Sequence, residues 1–218
     1  MQTALPLEVA GTTLLLLADK AAYWPQQKVM LIADVHFGKA AAYRALGQPV
    51  PRGTTAANLK RLDKLLAEYE CRQMIFLGDF LHAPKSHAAA TLAAIGAWRN
   101  RHAQLNCLLI RGNHDLHAGD PPEFLNIEIV SEPYILAPFA LRHTPAPHPA
   151  YHVLAGHLHP AFHLQGKGRQ RLRLPCFSCD AGMTLLPAFG DFTGGMSIAN
   201  AAGRRIFVTQ GNGVWPIS

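Results

Sequence analysis

Apolar residues fall along this chain mostly in runs of four to six, the length of a buried strand, broken by glycine, proline and acidic residues. Leu7 to Ala10 and Thr13 to Ala18, separated by Gly11-Thr12, predict two strands around a tight turn, and Tyr23-Trp24 begins another extended segment. Lys28 to Ala33 predicts a buried strand running straight into Asp34-Val35-His36-Phe37-Gly38. Three helical patterns follow. Ala40 to Leu46 stops at Gly47, Thr54 or Thr55 caps a helix to about Glu70 with Leu59, Leu62, Leu65 and Leu66 on one stripe, and Ser86 caps a third through Leu92, Ile95 and Trp98 to about Arg101. Between them Gln73 to Leu77 and Asn106 to Ile110 predict two more strands, ending at Gly78-Asp79 and at Arg111-Gly112-Asn113-His114-Asp115. After Pro121-Pro122 the texture is one of short strands: Ile127 to Val130, Phe139 to Arg142, Tyr151 to Ala155, Phe162 to Gln165, Arg171 to Leu174, Met183 to Leu185 and Arg205 to Thr209.

At 218 residues, one domain spanning residues 1–218 is expected. A hydrophobic fraction of 49% excludes disorder, and four cysteines in a chain of this length do not make a disulfide scaffold. No apolar run is long enough for a membrane span, and the first one carries no basic leader, so no membrane association and a cytoplasmic location are expected. A net charge of +6 suits an anionic partner. The twelve histidines become informative where they fall at strand ends.

Those strand ends read, in order, Asp34-x-His36, Gly78-Asp79, Gly112-Asn113-His114-Asp115, His143, and Gly156-His157-Leu158-His159. Loops beyond the carboxyl ends of strands in an α/β fold can converge on one point. Carboxylates, imidazoles and one amide oxygen suit divalent ions such as Mn²⁺, Fe²⁺, Co²⁺ or Zn²⁺, and seven donors with one shared would supply two ions about 3.5–4 Å apart.

In this motif order the chain resembles the calcineurin-like binuclear metallophosphoesterases. The resemblance implies a four-layered α/β/β/α sandwich with two facing mixed sheets. It also implies that Asp34, His36 and His159 hold one metal, that Asn113, His143 and His157 hold the other, and that Asp79 bridges them. The intervening wording, Asp34-Val-His-Phe-Gly-Lys39-Ala-Ala-Ala-Tyr-Arg44, Gly47-Gln-Pro-Val-Pro-Arg-Gly-Thr54 and Arg171-Leu-Arg-Leu-Pro-Cys-Phe177, is similar to the bacterial metallophosphoesterases associated with a DNA ligase and a helicase in the DNA damage response. That subfamily implies a Mn²⁺-dependent phosphodiesterase with DNA endonuclease activity, and hydrolysis by a hydroxide that two cations generate between them; single-stranded DNA is the expected substrate because the chain shows no groove-reading module to grip a duplex, whereas a flexible strand can bend into a strand-end pocket. In it His114 would touch the phosphate or protonate the leaving oxygen, with Asp115 orienting it.

Lys39 and His82 stand just beyond two donor motifs and are candidate substrate contacts. Lys167, Arg169, Arg171 and Arg173 alternate, so an extended segment would project all four from one side, either along a nucleic-acid backbone or as a solvated edge. Cys176 and Cys179 have redox-dithiol spacing but no second pair, and inert thiols are expected. Two other functions share the same donors: hydrolysis of a small phosphodiester or pyrophosphate, nucleotide or nucleotide-lipid, and a non-catalytic protein-binding scaffold.

Overall fold

Alternate residues of the central strands are apolar on both faces, so each sheet that they build must be covered twice. In the computed structural model, which describes residues 3–50, 53–166, 168, 170–191, 193–211 and 213–217, strands β1 (Ala4–Val9), β2 (Thr12–Leu17), β3 (Ala21–Trp24), β4 (Val29–Ala33), β5 (Gln73–Leu77), β6 (Asn106–Ile110) and β7 (Glu128–Val130) form one sheet in that order. Pairing is antiparallel from β1 to β4 and parallel from β4 to β7. The second sheet is built from β8 (Tyr134–Leu136), β9 (Phe139–Arg142), β10 (His152–Ala155), β12 (Arg171–Cys179), β13 (Met183–Leu185), β14 (Arg205–Gln210) and β15 (Gly213–Ile217), in the order β15-β14-β12-β13-β10-β9-β8. A further strand, β11 (Ala161–Gln165), pairs with β12 off that path.

Helices α2 (Thr54–Glu68) and α3 (Ala89–Arg101) cover the first sheet: Leu59, Leu62, Leu65, Ile95 and Trp98 pack on Met30, Ile32, Met74, Phe76 and Leu109. The intervening strand positions, Leu31, Ala33, Ile75, Leu77, Leu108 and Ile110, face Phe139, Leu141, Leu154, Phe177, Cys179 and Phe207 of the second sheet. Two facing mixed sheets with helical flanks are the expected architecture. The short helices α1 (Lys39–Ala45) and α4 (Asn113–Ala118) sit where β4 and β6 end. Among the described residues no α-helix follows Ala118; β11 and Ile198 close part of the second sheet's outer face over Leu174, Cys176, Ile206 and Val208. No helix among the described residues is long and apolar enough to cross a membrane.

Several local expectations need correction. Neither Thr54 nor Thr55 caps α2; Gly53 occupies that position at φ 87°, and Thr55 Oγ1 accepts instead from the backbone N–H of Gly38 at 3.4 Å. Ser86 lies in a 3₁₀ turn, Pro84–His87, ahead of α3, where its hydroxyl accepts from Ala83 N at 3.2 Å. The segment Arg171 to Leu174 is the first part of a nine-residue strand, β12, that runs on to Cys179. Strands β8 and β15 and helix α4 were not expected; proline beside or within the two strands masks their apolar character, and α4 is too short for a periodic pattern.

Candidate metal centre

Strands β4, β5 and β6 run parallel in the first sheet and β9 and β10 in the second, and each delivers polar residues from its carboxyl end. Asp34, His36, Asp79, His157 and His159 all have φ between 48° and 68°. Such left-handed geometry is costly for residues with a Cβ and persists where surrounding contacts over-determine it. Gly78 (φ 74°) lets the chain turn beneath the His143 ring, which a Cβ would strike. At Gly156 the constraint is space rather than φ: a Cβ would sit 2.5 Å from Asp34 Oδ2 and 2.9 Å from Ala33 Cβ.

The seven expected donors come together in two groups around Asp79. Asp34, His36, Asp79 and His159 each offer an atom within 4.8 Å of the others. His36 Nε2 lies 3.4 Å from His159 Nε2 and 3.6 Å from Asp79 Oδ2, and His159 Nε2 lies 3.5 Å from Asp34 Oδ1. On the other side of Asp79, His143 Nε2 lies 3.4 Å from Asp79 Oδ1, 2.8 Å from Asn113 Oδ1 and 3.0 Å from His157 Nδ1. The Leu77 carbonyl accepts a hydrogen bond from His143 Nδ1 at 3.2 Å, turning the Nε2 lone pair into this group.

The electrostatics fit a bound cation. Asp34 Oδ1 is buried with no hydrogen-bond partner, while Oδ2 accepts from His157 N at 2.9 Å. Such an orphaned carboxylate oxygen, facing oxygens and imidazole lone pairs, is satisfied by a divalent ion. Burial lowers the pKa of His36 and of His157, keeping both rings neutral with a lone pair available, and burial raises that of Asp79.

His114 lies at the rim, its side chain 37% exposed. Its backbone N–H donates to Asp79 Oδ1 at 3.0 Å and its Nδ1 to the His82 carbonyl at 2.8 Å, leaving Nε2 4.0 Å from Asp79 Oδ2. The His82 ring stacks on His114 at 4.9 Å and its Nδ1 approaches His36 Nδ1 at 3.3 Å; burial, with Lys39 adding, holds His82 down at about 4. Asp115 does not orient His114, contrary to expectation. Its carboxylate points inward and accepts from Phe80 N (2.9 Å), Leu81 N (3.1 Å) and Gly112 N (2.9 Å), tying the turn after Asp79 to the start of α4; burial pushes its pKa up to about 6 against these bonds.

Lys39 is buried at the start of α1, its Nζ 5.8 Å from the Tyr43 ring, and burial depresses its pKa while Asp79 and Asp34 oppose the shift. Arg173 lines a cavity of about 200 Å³ shared with His159. Arg171 is exposed and does not line that cavity, and Lys167 and Arg169 lie outside the described residues. Cys176 and Cys179 face opposite sides of β12, one toward Ile198 and Val208 and the other between the sheets, so they form no dithiol; burial takes Cys176 up to about 12. Sequence reasoning missed Glu132, whose Oε2 accepts from His143 N at 2.7 Å and Thr144 N at 2.8 Å and so fixes that donor loop. No spacing rule marks an isolated acid in an irregular segment.

Residues 27–172 match the family model for the calcineurin-like phosphoesterases. Among solved structures, the Pseudomonas putida nuclease MPE is 53% identical, aligned over 98% of this chain and 100% of that one, with a TM-score of 0.88. A protein of unknown function from Aquifex aeolicus, AQ665, is 19% identical over 65% of this chain and 82% of its own, with a TM-score of 0.42. No curated protein matches. The donor geometry and the match over two thirds of its length agree: this chain belongs to the calcineurin-like phosphoesterase family and is a metal-dependent hydrolase of phosphate esters.

Proposed function

We propose that this protein is a binuclear, Mn²⁺-dependent phosphodiesterase that cuts single-stranded DNA internally, acting in DNA repair alongside a ligase and a helicase. The observation that carries the reading is the gathering of six strand-end donors on the two sides of a seventh, the buried carboxylate of Asp79, with His36 Nε2 3.6 Å from its Oδ2 and His143 Nε2 3.4 Å from its Oδ1. In this assignment Asp34, His36 and His159 hold one ion, Asn113, His143 and His157 the other, and Asp79 both. Two cations so held would neutralise the non-bridging oxygens of a phosphodiester and make water acidic enough to attack near neutral pH. DNA as the substrate is supported by the likeness to the Pseudomonas putida nuclease and by the chain's net charge of +6.

The chain's own side chains supply the remainder. His114 keeps its Nδ1 proton on the His82 carbonyl; in the imidazolium form Nε2 presents the second proton toward the donors, to a phosphate oxygen or to the leaving oxygen. His82 stacks behind His114 and fills the space beside the second nitrogen of His36. Lys39 adds positive charge at the wall nearest Asp79 and Asp34. Asp115 holds the backbone on which Asp79 and Asn113 stand.

The test is metal-stripped protein resupplied with Mn²⁺, incubated with circular single-stranded DNA, circular duplex DNA and bis(p-nitrophenyl) phosphate, with Asp79→Ala in parallel. Linearised single strands that require both Mn²⁺ and Asp79 support the proposal. Turnover of the chromogenic diester with intact DNA would move the assignment to a small-molecule phosphodiesterase.

A further inference from the structure

The cavity beside His159 has walls that owe little to the donor set. Pro160, Ala161 and Pro175 form one side, Ala161 lying opposite Pro175 in the β11–β12 register and the Pro160 carbonyl accepting from Cys176 N at 3.0 Å, and Ala188, Gly190, Thr193 and Gly194 form another. The loop bearing these glycines is pinned to the donor strand's exit: Met196 N donates to the Leu158 carbonyl and Ala161 N to the Met196 carbonyl, each at 2.9 Å. At Gly195 a Cβ would collide with both the His159 carbonyl and Arg173 Nη2. A glycine there lets the guanidinium lie against the backbone of His159.

The charges of this cavity do not cancel. Asp191 is its one acid, and it is shared between Lys20 Nζ at 3.3 Å and Arg61 Nη1 at 3.6 Å. Arg173 has no acidic partner among the described residues. Consistent with an excess of positive charge, Lys20 is held at about 8, by burial first and the Arg61 cation second, more than Asp191 restores. A planar fork of donors in an electropositive cavity with backbone-rich walls suits a phosphate.

We propose that the cavity between His159 and Arg173 is a subsite for the phosphate next to the scissile one, so that Arg173 makes the site favour a polynucleotide strand over an isolated phosphodiester. The inference rests on the nucleic-acid reading above and narrows it: the protein selects substrate by charge repeated at nucleotide spacing, without reading bases. Arg171, further along the same side of β12, lies outside the cavity and has no part in it.

The experiment compares kcat/KM, with Mn²⁺ supplied, for three thymidine dinucleotides: one with a 5′-phosphate, one with a 3′-phosphate and one with neither. In the wild type, one phosphorylated dinucleotide is expected to exceed the unphosphorylated one by roughly tenfold to a hundredfold, the worth of a charge-assisted contact. Arg173→Ala should collapse that ratio to about one, and Arg173→Lys, which keeps charge but loses the fork, should retain part of it. A ratio preserved in Arg173→Ala, or no preference in the wild type, overturns the subsite while the nuclease reading stands. Hydrolysis of bis(p-nitrophenyl) phosphate with neither the dinucleotides nor circular single-stranded DNA cut would overturn the nuclease reading and the subsite with it, whereas cleavage of the circle with no dinucleotide cut would overturn the subsite alone.

Discussion

Asp115 is the position at which the sequence and the geometry assign different work to the same carboxylate, and its replacement distinguishes them. Asp115→Ala would leave the backbone N–H groups of Phe80, Leu81 and Gly112 without their acceptor in a fully buried pocket. At about 1–3 kcal/mol for each orphaned buried donor the gross loss is about 3–9 kcal/mol. Relaxation and entry of water reduce it, and we expect about 3–5 kcal/mol, a large part of the ~5–15 kcal/mol that holds a protein folded. With a urea m-value of about 3 kcal/mol/M this moves the unfolding midpoint down by about 1 M or more. Asp115→Asn keeps one oxygen for two of the three donors but turns an NH₂ toward the third, and should cost about 1–3 kcal/mol. That variant folds and can be assayed: its kcat should stay within a few-fold of the wild type, because the His114 ring is held by the His82 carbonyl. An unchanged midpoint in Asp115→Ala, together with a fall in kcat for Asp115→Asn as large as that of His114→Ala, would refute this reasoning and make Asp115 the residue that orients His114.

Three further outcomes are expected. His114→Ala should lower kcat by about 10²–10⁴ with bound metal unchanged by elemental analysis, since its side chain lies outside the seven donors; loss of metal would contradict its placement. Gly156→Ala, whose Cβ would press on Asp34 Oδ2 at 2.5 Å, should weaken metal binding by about tenfold to a hundredfold in a competition titration with a chelator, and an unaltered affinity would contradict the crowding argument. Lys20, held at about 8 in the folded chain against 10.5 unfolded, binds fewer protons folded than unfolded between those values, so its contribution to stability rises with pH across that window. In urea titrations the wild type should gain about 2–3 kcal/mol relative to Lys20→Met on going from the lower to the upper end; parallel profiles would contradict the buried placement of that ammonium.

The parts of this molecule that were legible in the sequence are those where one local pattern suffices. Gln73–Leu77, Asn106–Ile110 and Phe139–Arg142 are short apolar runs ended by glycine or a polar residue, and the structure has them with those bounds. The donors could be picked out because each follows such a strand and each is a residue type that binds metal. Pairings distant in sequence leave no such mark. Asp115 follows His114 in sequence, yet its carboxylate is taken by the backbone of residues 80 and 81, some thirty-five positions earlier. Glu132 acts on His143 through a loop with no periodicity, and Lys20, Arg61 and Asp191 meet because the segment after β13 crosses the end of β4, where Phe189 N and Gly190 N donate to the Ala33 and Asp34 carbonyls. Capping failed for a related reason: Gly53 at φ 87° is free to adopt the turn, which released Thr55 to bond Gly38 across the site.

The central claim is that Asp79 joins two ions held by the strand ends. Anomalous diffraction from crystals grown with Mn²⁺ tests it most directly. Two peaks about 3.5–4 Å apart are expected, one among Asp34, His36 and His159 and the other among Asn113, His143 and His157, with Asp79 between them. A single peak, or peaks centred on other residues, would contradict it.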